Sequence, residues 1–220
     1  MTSRFGLFAA LGALVASVGY GVPQLLQVGG VLTFPSDLIL IFAPSLALAP
    51  LFVLTMVAVN VAAPAEKRVW SLAALALAIM YAVLVSIVYV VQLGVVIPLR
   101  LQGEGERIAL FECCAQFQPM TAIDLLGYTL MSLSTGFAAV VFGGSGVGRA
   151  ARFWLLANAL LAPFLILQLA WPWLIYVGAL WLVTFPLSML FVALVFRRDP
   201  VIGEAVAIGA FAARIEVEKR

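Results

Sequence analysis

The chain has 220 residues, 65% of them hydrophobic and 10% charged, with a formal net charge of +2 and a mean hydropathy of +1.18. Soluble domains are closer to half apolar, so this composition excludes a domain solvated by water on all sides and asks for lipid as the solvent. Histidine is absent, which removes histidine-ligated haem, most zinc sites and histidine-based triads, and the few basic residues form no patch suited to nucleic acid.

Apolar runs occupy residues 5–28, 38–62, 69–97, 120–142, 151–171 and 174–196. Each is long enough to span, because about 20 residues at a helical rise of about 1.5 Å cover a hydrocarbon core of about 30 Å. The expected fold class is therefore all-α: a polytopic transmembrane bundle of six helices over residues 1–198, followed by a cytoplasmic tail over 199–220. The first run follows Arg4 but exceeds a signal-peptide core in length and has no A-x-A site, so it is read as a helix. Gly29, Gly30 and Pro35-Ser36-Asp37 separate it from the second run, which ends before Pro64. The third run is longer than the core requires, so its helix is expected to tilt or project into water, and Pro98 is expected to stop it.

The connection 100–118 is the longest and carries Glu104, Glu106, Arg107 and Glu112 together with Cys113 and Cys114, the only cysteines. Their adjacency matches neither a C-x-x-C redox motif nor a metal-ligand spacing, and adjacent cysteines close on each other only through a strained ring, so simple thiols or small apolar fillers are expected. After the fourth run, Gly143-Gly144-Ser145-Gly146 has no preceding strand and no following Lys-Ser/Thr, so it reads as a turn and not as a phosphate loop. The fifth and sixth runs are joined by little more than Pro172 and Trp173, which makes them antiparallel neighbours; Trp171, Trp173 and Tyr176 suit an interfacial aromatic belt. In the tail, Ile208, Phe211 and Ile215 share a helical stripe that Glu204 interrupts, and a short interfacial helix and a loose tail both fit.

Counting Lys and Arg on alternating sides sets the orientation. With the amino terminus inside, Arg4, Lys67, Arg68, Arg149, Arg152, Arg197, Arg198, Arg214, Lys219 and Arg220 lie inside, and only Arg100 and Arg107 lie outside. That bias places both termini in the cytoplasm and the 100–118 connection outside, in what is expected to be a bacterial plasma (inner) membrane.

Polar residues within spans carry the functional information, since each costs free energy unless it is paired. Asp124 is the one carboxylate well inside a run. Tyr128 at i+4 and Thr135 at i+11 share its face, flanked by Ser132 and Ser134. Gln92 and Tyr89 in the third run, Gln24 and Gln27 in the first, Gln168 in the fifth and Thr184 in the sixth fall in the same outer half, whereas Asn60 and Asn158 fall in the inner half. The candidate ligand-binding set is Asp124, Tyr128, Gln92, Tyr89, Gln24, Gln168 and Thr184, around a pocket with apolar walls. No cofactor and no metal are expected. Against this stands a structural reading: Thr121-x-x-Asp124 matches a capping box in which Asp124 only favours the helix start, and Gln92 serves as glue between helices.

The segments Tyr89-Val-Val-Gln92-Leu and Asp124-Leu-Leu-Gly-Tyr128, followed by Ser132-Leu-Ser134-Thr135, resemble a set of uncharacterised six-span bacterial membrane proteins. The resemblance covers the third and fourth helices and implies a fold, with no activity attached. Three functions stay open from the residues: binding or transport of a small amphiphile or lipid in an outer-leaflet pocket, an intramembrane enzyme with Asp124 as general base, and a structural subunit packing partner membrane proteins on faces such as Gly12-x-x-x-Ala16.

Overall fold

The computed structural model describes residues 2–144 and 146–198, and every regular element among them is a helix. The tail over 199–220, with the stripe of Ile208, Phe211 and Ile215, lies outside the described residues. Two long helices come first, α1 (Thr2–Val28) and α2 (Ser36–Ala62). After a 3-10 turn at Ala65–Lys67, α3 (Arg68–Val91) continues through a π turn (Gln92–Val96) into α4 (Ile97–Leu101). A single helical turn, α5 (Gly105–Ile108), interrupts the long connection before α6 (Pro119–Ala139). The last third holds α7 (Val147–Ala159), α8 (Ala162–Leu167), a 3-10 turn at Pro172–Leu174, α9 (Ile175–Gly178) and α10 (Trp181–Arg198).

Five rods are long and apolar enough to cross a membrane, over 3–28, 36–62, 65–101, 147–167 and 172–198. The sixth expected span, α6, has 21 residues but is not among the five. The reason is its polar content, because Thr121, Asp124, Tyr128, Thr129, Ser132, Ser134 and Thr135 all lie on it.

The helices form a closed ring in chain order. α1 packs on α2, α2 on α3, α3 on α6, α6 on α7 and α8, and α7 on α10, which returns to α1. Short connections impose most of this arrangement, since a chain that reverses within a few residues leaves neighbours antiparallel and in contact, and only the step from the third rod to α6 is made across the long 102–118 connection. Aromatic rings fill the middle of the ring: Phe52 lies against Tyr81 and Phe185, and Trp181 lies against Phe185, Tyr128 and Tyr20, with centroids 4.8 to 5.8 Å apart. Small residues permit close approach of the backbones. A Cβ on Gly127 of α6 would stand 2.7 Å from Val85 Cγ1 of α3, and one on Gly12 would stand 2.8 Å from Leu51 Cδ2 of α2. The Gly12-x-x-x-Ala16 face is thus used inside this chain, with Ala13 and Ala16 buried, and is not open to a partner helix.

Pro98 does not stop the third rod. Proline lacks the N–H for an i→i−4 bond and crowds the carbonyl four residues back, here that of Gly94. The π turn at Gln92–Val96 widens the helix over that stretch, and the rod passes Pro98 to reach Leu101. Pro163 interrupts the regular helix of its rod, between α7 and α8, although the rod runs on as one span over 147–167, whereas Pro23, Pro44, Pro50 and Pro186 are carried inside continuous helices.

Candidate functional site at the 102–118 end of the bundle

The connection after α4 folds back over the ring and is pinned by two side chains. Gln92, fully buried on the π turn, donates from Nε2 to the Phe111 carbonyl (2.7 Å), and its Oε1 accepts from the Cys113 N–H (3.1 Å). Thr121 Oγ1 accepts from the Cys114 N–H (2.8 Å) and donates to the Ala115 carbonyl (2.7 Å). These bonds correct two expectations. Gln92 ties a helix to a loop and not to another helix, and Thr121 caps nothing: α6 begins at Pro119 with no side-chain cap and no acidic residue in its first turn. Proline at the first helical position is suited to a start, because its missing N–H is one that the first turn leaves unbonded anyway. Asp124 therefore sits beyond the first turn, and its Oδ1 is buried with no hydrogen-bond partner.

Around Asp124 the expected residues divide. Tyr89 and Tyr128 are with it: the Tyr89 hydroxyl neighbours the carboxyl and donates to the Tyr128 hydroxyl (2.9 Å). Tyr89 stacks on Phe42, while Tyr128 meets Trp181 edge-on at 4.9 Å. The Tyr81 hydroxyl and Trp181 Nε1 are also buried without partners, so the floor of this end combines apolar rings with several unanswered polar atoms.

Gln24 is elsewhere. It donates to Gln27 (3.0 Å), which donates to Asp37 (2.7 Å), and the Leu38 N–H donates to the other oxygen of that carboxylate. Asp37 is buried in the first turn of α2, a second buried acid that sequence reasoning treated only as a helix-start signal. Thr184 is also elsewhere: it donates to Asn158 Oδ1 (2.9 Å), and Asn158 Nδ2 donates to Thr135 Oγ1 (3.1 Å), joining α10, α7 and α6. That network mixes residues assigned from sequence to opposite halves.

Gln168 lines a cleft of about 350 Å³ with Cys114, Phe117, Gln118, Thr121 and Leu125 on one wall and Leu169, Pro172 and Ile175 on the other. Gln118 Oε1, buried and without a partner, belongs to this lining. A larger cleft of about 540 Å³ lies at the opposite end, along Val59, Val141 to Gly143, Gly146 to Gly148, Val195, Phe196 and Arg198. None of the buried unpartnered polar side-chain atoms among the described residues lies on it.

Cys113 and Cys114 are paired, against the expectation of separate thiols. Cys114 takes a left-handed φ of +76°, which breaks the usual alternation of neighbouring side chains and brings both sulfurs to one side. The two sulfurs and a carboxylate oxygen of Asp124 lie within 4.8 Å of one another. Sulfur already bonded to sulfur is a poor metal ligand, because ligation calls for the thiolate. Cys113 is half-buried against the core, whereas Cys114 is exposed at the cleft.

Comparison with known proteins finds no matching family model, no matching curated protein and no matching solved structure.

Proposed function

We propose that the chain is a six-span protein of the bacterial plasma membrane that binds a small amphiphile or lipid at the 102–118 end of its bundle. The observation that carries this reading is the cleft beside Cys114. Its volume of about 350 Å³ falls within the usual range for small-molecule pockets, its walls are largely apolar, and Gln118 Oε1 offers a buried acceptor with no donor. A headgroup with a hydroxyl, amide or ammonium donor satisfies Gln118, with Gln168 and Thr121 beside it, while an alkyl chain follows Leu125, Leu169 and Ile175.

The sixth span is supported by the way α6 divides its residues. Leu126 and Leu133, seven apart on one stripe, are exposed, while Ser132, Ser134 and Thr135 are fully buried toward the ring. Lipid then meets leucine, and the polar stripe that lowers the mean hydropathy of α6 never meets lipid. The excess of Lys and Arg near the opposite end supports termini in the cytoplasm and a cleft facing outward.

Photo-crosslinking of the chain in nanodiscs with a diazirine-bearing alkyl alcohol tests the reading. Labels are expected to concentrate in peptides covering 114–125 and 168–175, and Leu125→Trp, which fills the cleft, is expected to lower that labelling several-fold. Labelling spread evenly around the lipid-facing belt, or unchanged in the tryptophan variant, would refute it.

A further inference from the structure

We propose that the Cys113–Cys114 pair is a thiol–disulfide exchange centre, entered by small thiols and disulfides at Cys114, with Asp124 relaying the proton.

Four features of the site carry this. First, the pair is held in place from two helices: Gln92 of the π turn takes the Cys113 N–H and Thr121 of α6 takes the Cys114 N–H. Second, the two sulfurs are unequal, because Cys114 is exposed on the cleft while Cys113 packs against the core. Exchange proceeds by in-line attack of a thiol sulfur on one sulfur of a disulfide, so access selects Cys114 as the attacked atom and Cys113 as the leaving one. Third, a carboxylate oxygen of Asp124 lies within 4.8 Å of both sulfurs, and Asp124 Oδ1 is buried without a hydrogen-bond partner. Fourth, the sequence contains no other cysteine, so a mixed disulfide formed on Cys114 is resolved within the chain only by Cys113.

The chemistry balances with thiols alone. An incoming thiol RSH attacks Cys114 Sγ; an R–S–Sγ bond forms, the bond between the two cysteines breaks, and its electron pair leaves on Cys113 Sγ. The proton shed by RSH passes through the Asp124 carboxyl to Cys113. A second RSH then attacks the R sulfur of the mixed disulfide, releasing RSSR and leaving Cys114 as a thiol. The pair has taken up two electrons and two protons. A different disulfide R′SSR′ reverses the sequence and leaves as two R′SH, so the net reaction is thiol oxidation coupled to disulfide reduction.

The test uses the full chain in nanodiscs, equilibrated in buffers of reduced and oxidised glutathione, quenched with acid, alkylated and weighed intact. The expected result is a two-electron titration in which the protein passes from no alkylated cysteine to two. Cys113→Ser is expected to trap glutathione on Cys114, and Cys114→Ser to leave Cys113 largely unmodified over the same time. Asp124→Asn is expected to slow reduction by glutathione at least tenfold while the equilibrium ratio of reduced to oxidised pair stays as in wild type. Two alkylated cysteines at every buffer ratio, equal glutathione uptake by both serine variants, or a wild-type rate in Asp124→Asn would each overturn the proposal. The wild-type titration needs no variant, and its readout is independent of whether an amphiphile occupies the cleft.

Discussion

Replacing Gln92 by leucine removes one side chain and strands two backbone groups. Gln92 is 1% exposed, and both ends of its amide are engaged, by the Phe111 carbonyl at 2.7 Å and by the Cys113 N–H at 3.1 Å. Each ordinary hydrogen bond contributes about 0.5–1.5 kcal/mol net, and a buried group left without a partner costs about 1–3 kcal/mol. Phe111 is exposed and Cys113 half-buried, so the loop can lift and let water reach the freed groups, which places the loss near the lower figures. Leucine is close to glutamine in volume, so the packing of the π turn is largely kept. The expected destabilisation is thus about 1–3 kcal/mol, expressed mainly as opening of the 109–116 segment and not as melting of the ring. Hydrogen exchange by mass spectrometry, read on peptides covering 109–116, is expected to accelerate by about fivefold or more in Gln92→Leu, the factor that about 1 kcal/mol gives, while peptides from α1 and α2 are unchanged. Gln116→Leu, at an exposed position of the same loop with no side-chain bond, is the control and is expected to exchange as wild type. Wild-type protection of 109–116 in Gln92→Leu would refute the view that this amide pins the loop.

Two further substitutions probe the ring itself. Gly127→Ala places a methyl group 2.7 Å from Val85 Cγ1 and is expected to cost about 1–3 kcal/mol by overpacking; the thermal midpoint in detergent should fall, and adding Val85→Ala should restore part of the loss. Asn158→Leu cuts the link between Thr135 and Thr184 and is expected to cost about 1–2 kcal/mol, two polar contacts between membrane helices at about 0.6 kcal/mol or somewhat more each; a double-mutant cycle with Thr184→Val should give a clear coupling energy, and simple additivity would count against a shared network.

The helical class and the rod boundaries were legible because apolar run length is a one-dimensional property, and it survives in the structure to within a few residues at most ends. The shared depth of Tyr89, Tyr128 and Asp124 was legible for a related reason, whereas the hydrogen bond between the two tyrosines was not. Alternating helix direction turns distance from a loop into depth, and the ring places α3 against α6. Depth alone fails where lateral position matters. Gln24 and Thr184 have plausible depths but face Gln27 and Asn158, and nothing in a single run of letters fixes rotation about a helix axis that finely. The partners of Gln92 and Thr121 were illegible for another reason: both are backbone groups of an irregular loop, which carries no periodicity. The pattern Thr121-x-x-Asp124 misled because a proline two residues earlier starts the helix sooner and releases the threonine to bind the loop.

The π turn links these outcomes. Without it, an α-helical path through Pro98 has to forfeit a bond and accommodate the proline ring against the Gly94 carbonyl, and the rod would be expected to end inside the apolar run. A π turn holds more residues per turn than an α turn, so every side chain beyond it is rotated relative to an uninterrupted helix. In this rod the change falls at Gln92, and it leaves Val88, Tyr89, Gln92 and Val96 all buried, with the amide turned up to the returning loop. The same local device therefore carries the rod past Pro98 to Arg100, whose guanidinium lies 4.8 Å over the ring of Phe34 from the α1–α2 connection, and supplies the amide that seats Cys113 above Asp124. Shifting the π turn by restoring α-helical geometry, as in a deletion of Gly94, rotates Gln92 relative to the rest of the rod, so loop protection and the reactivity of the cysteine pair are expected to change together; a deletion that altered one and spared the other would separate the anchor from the site.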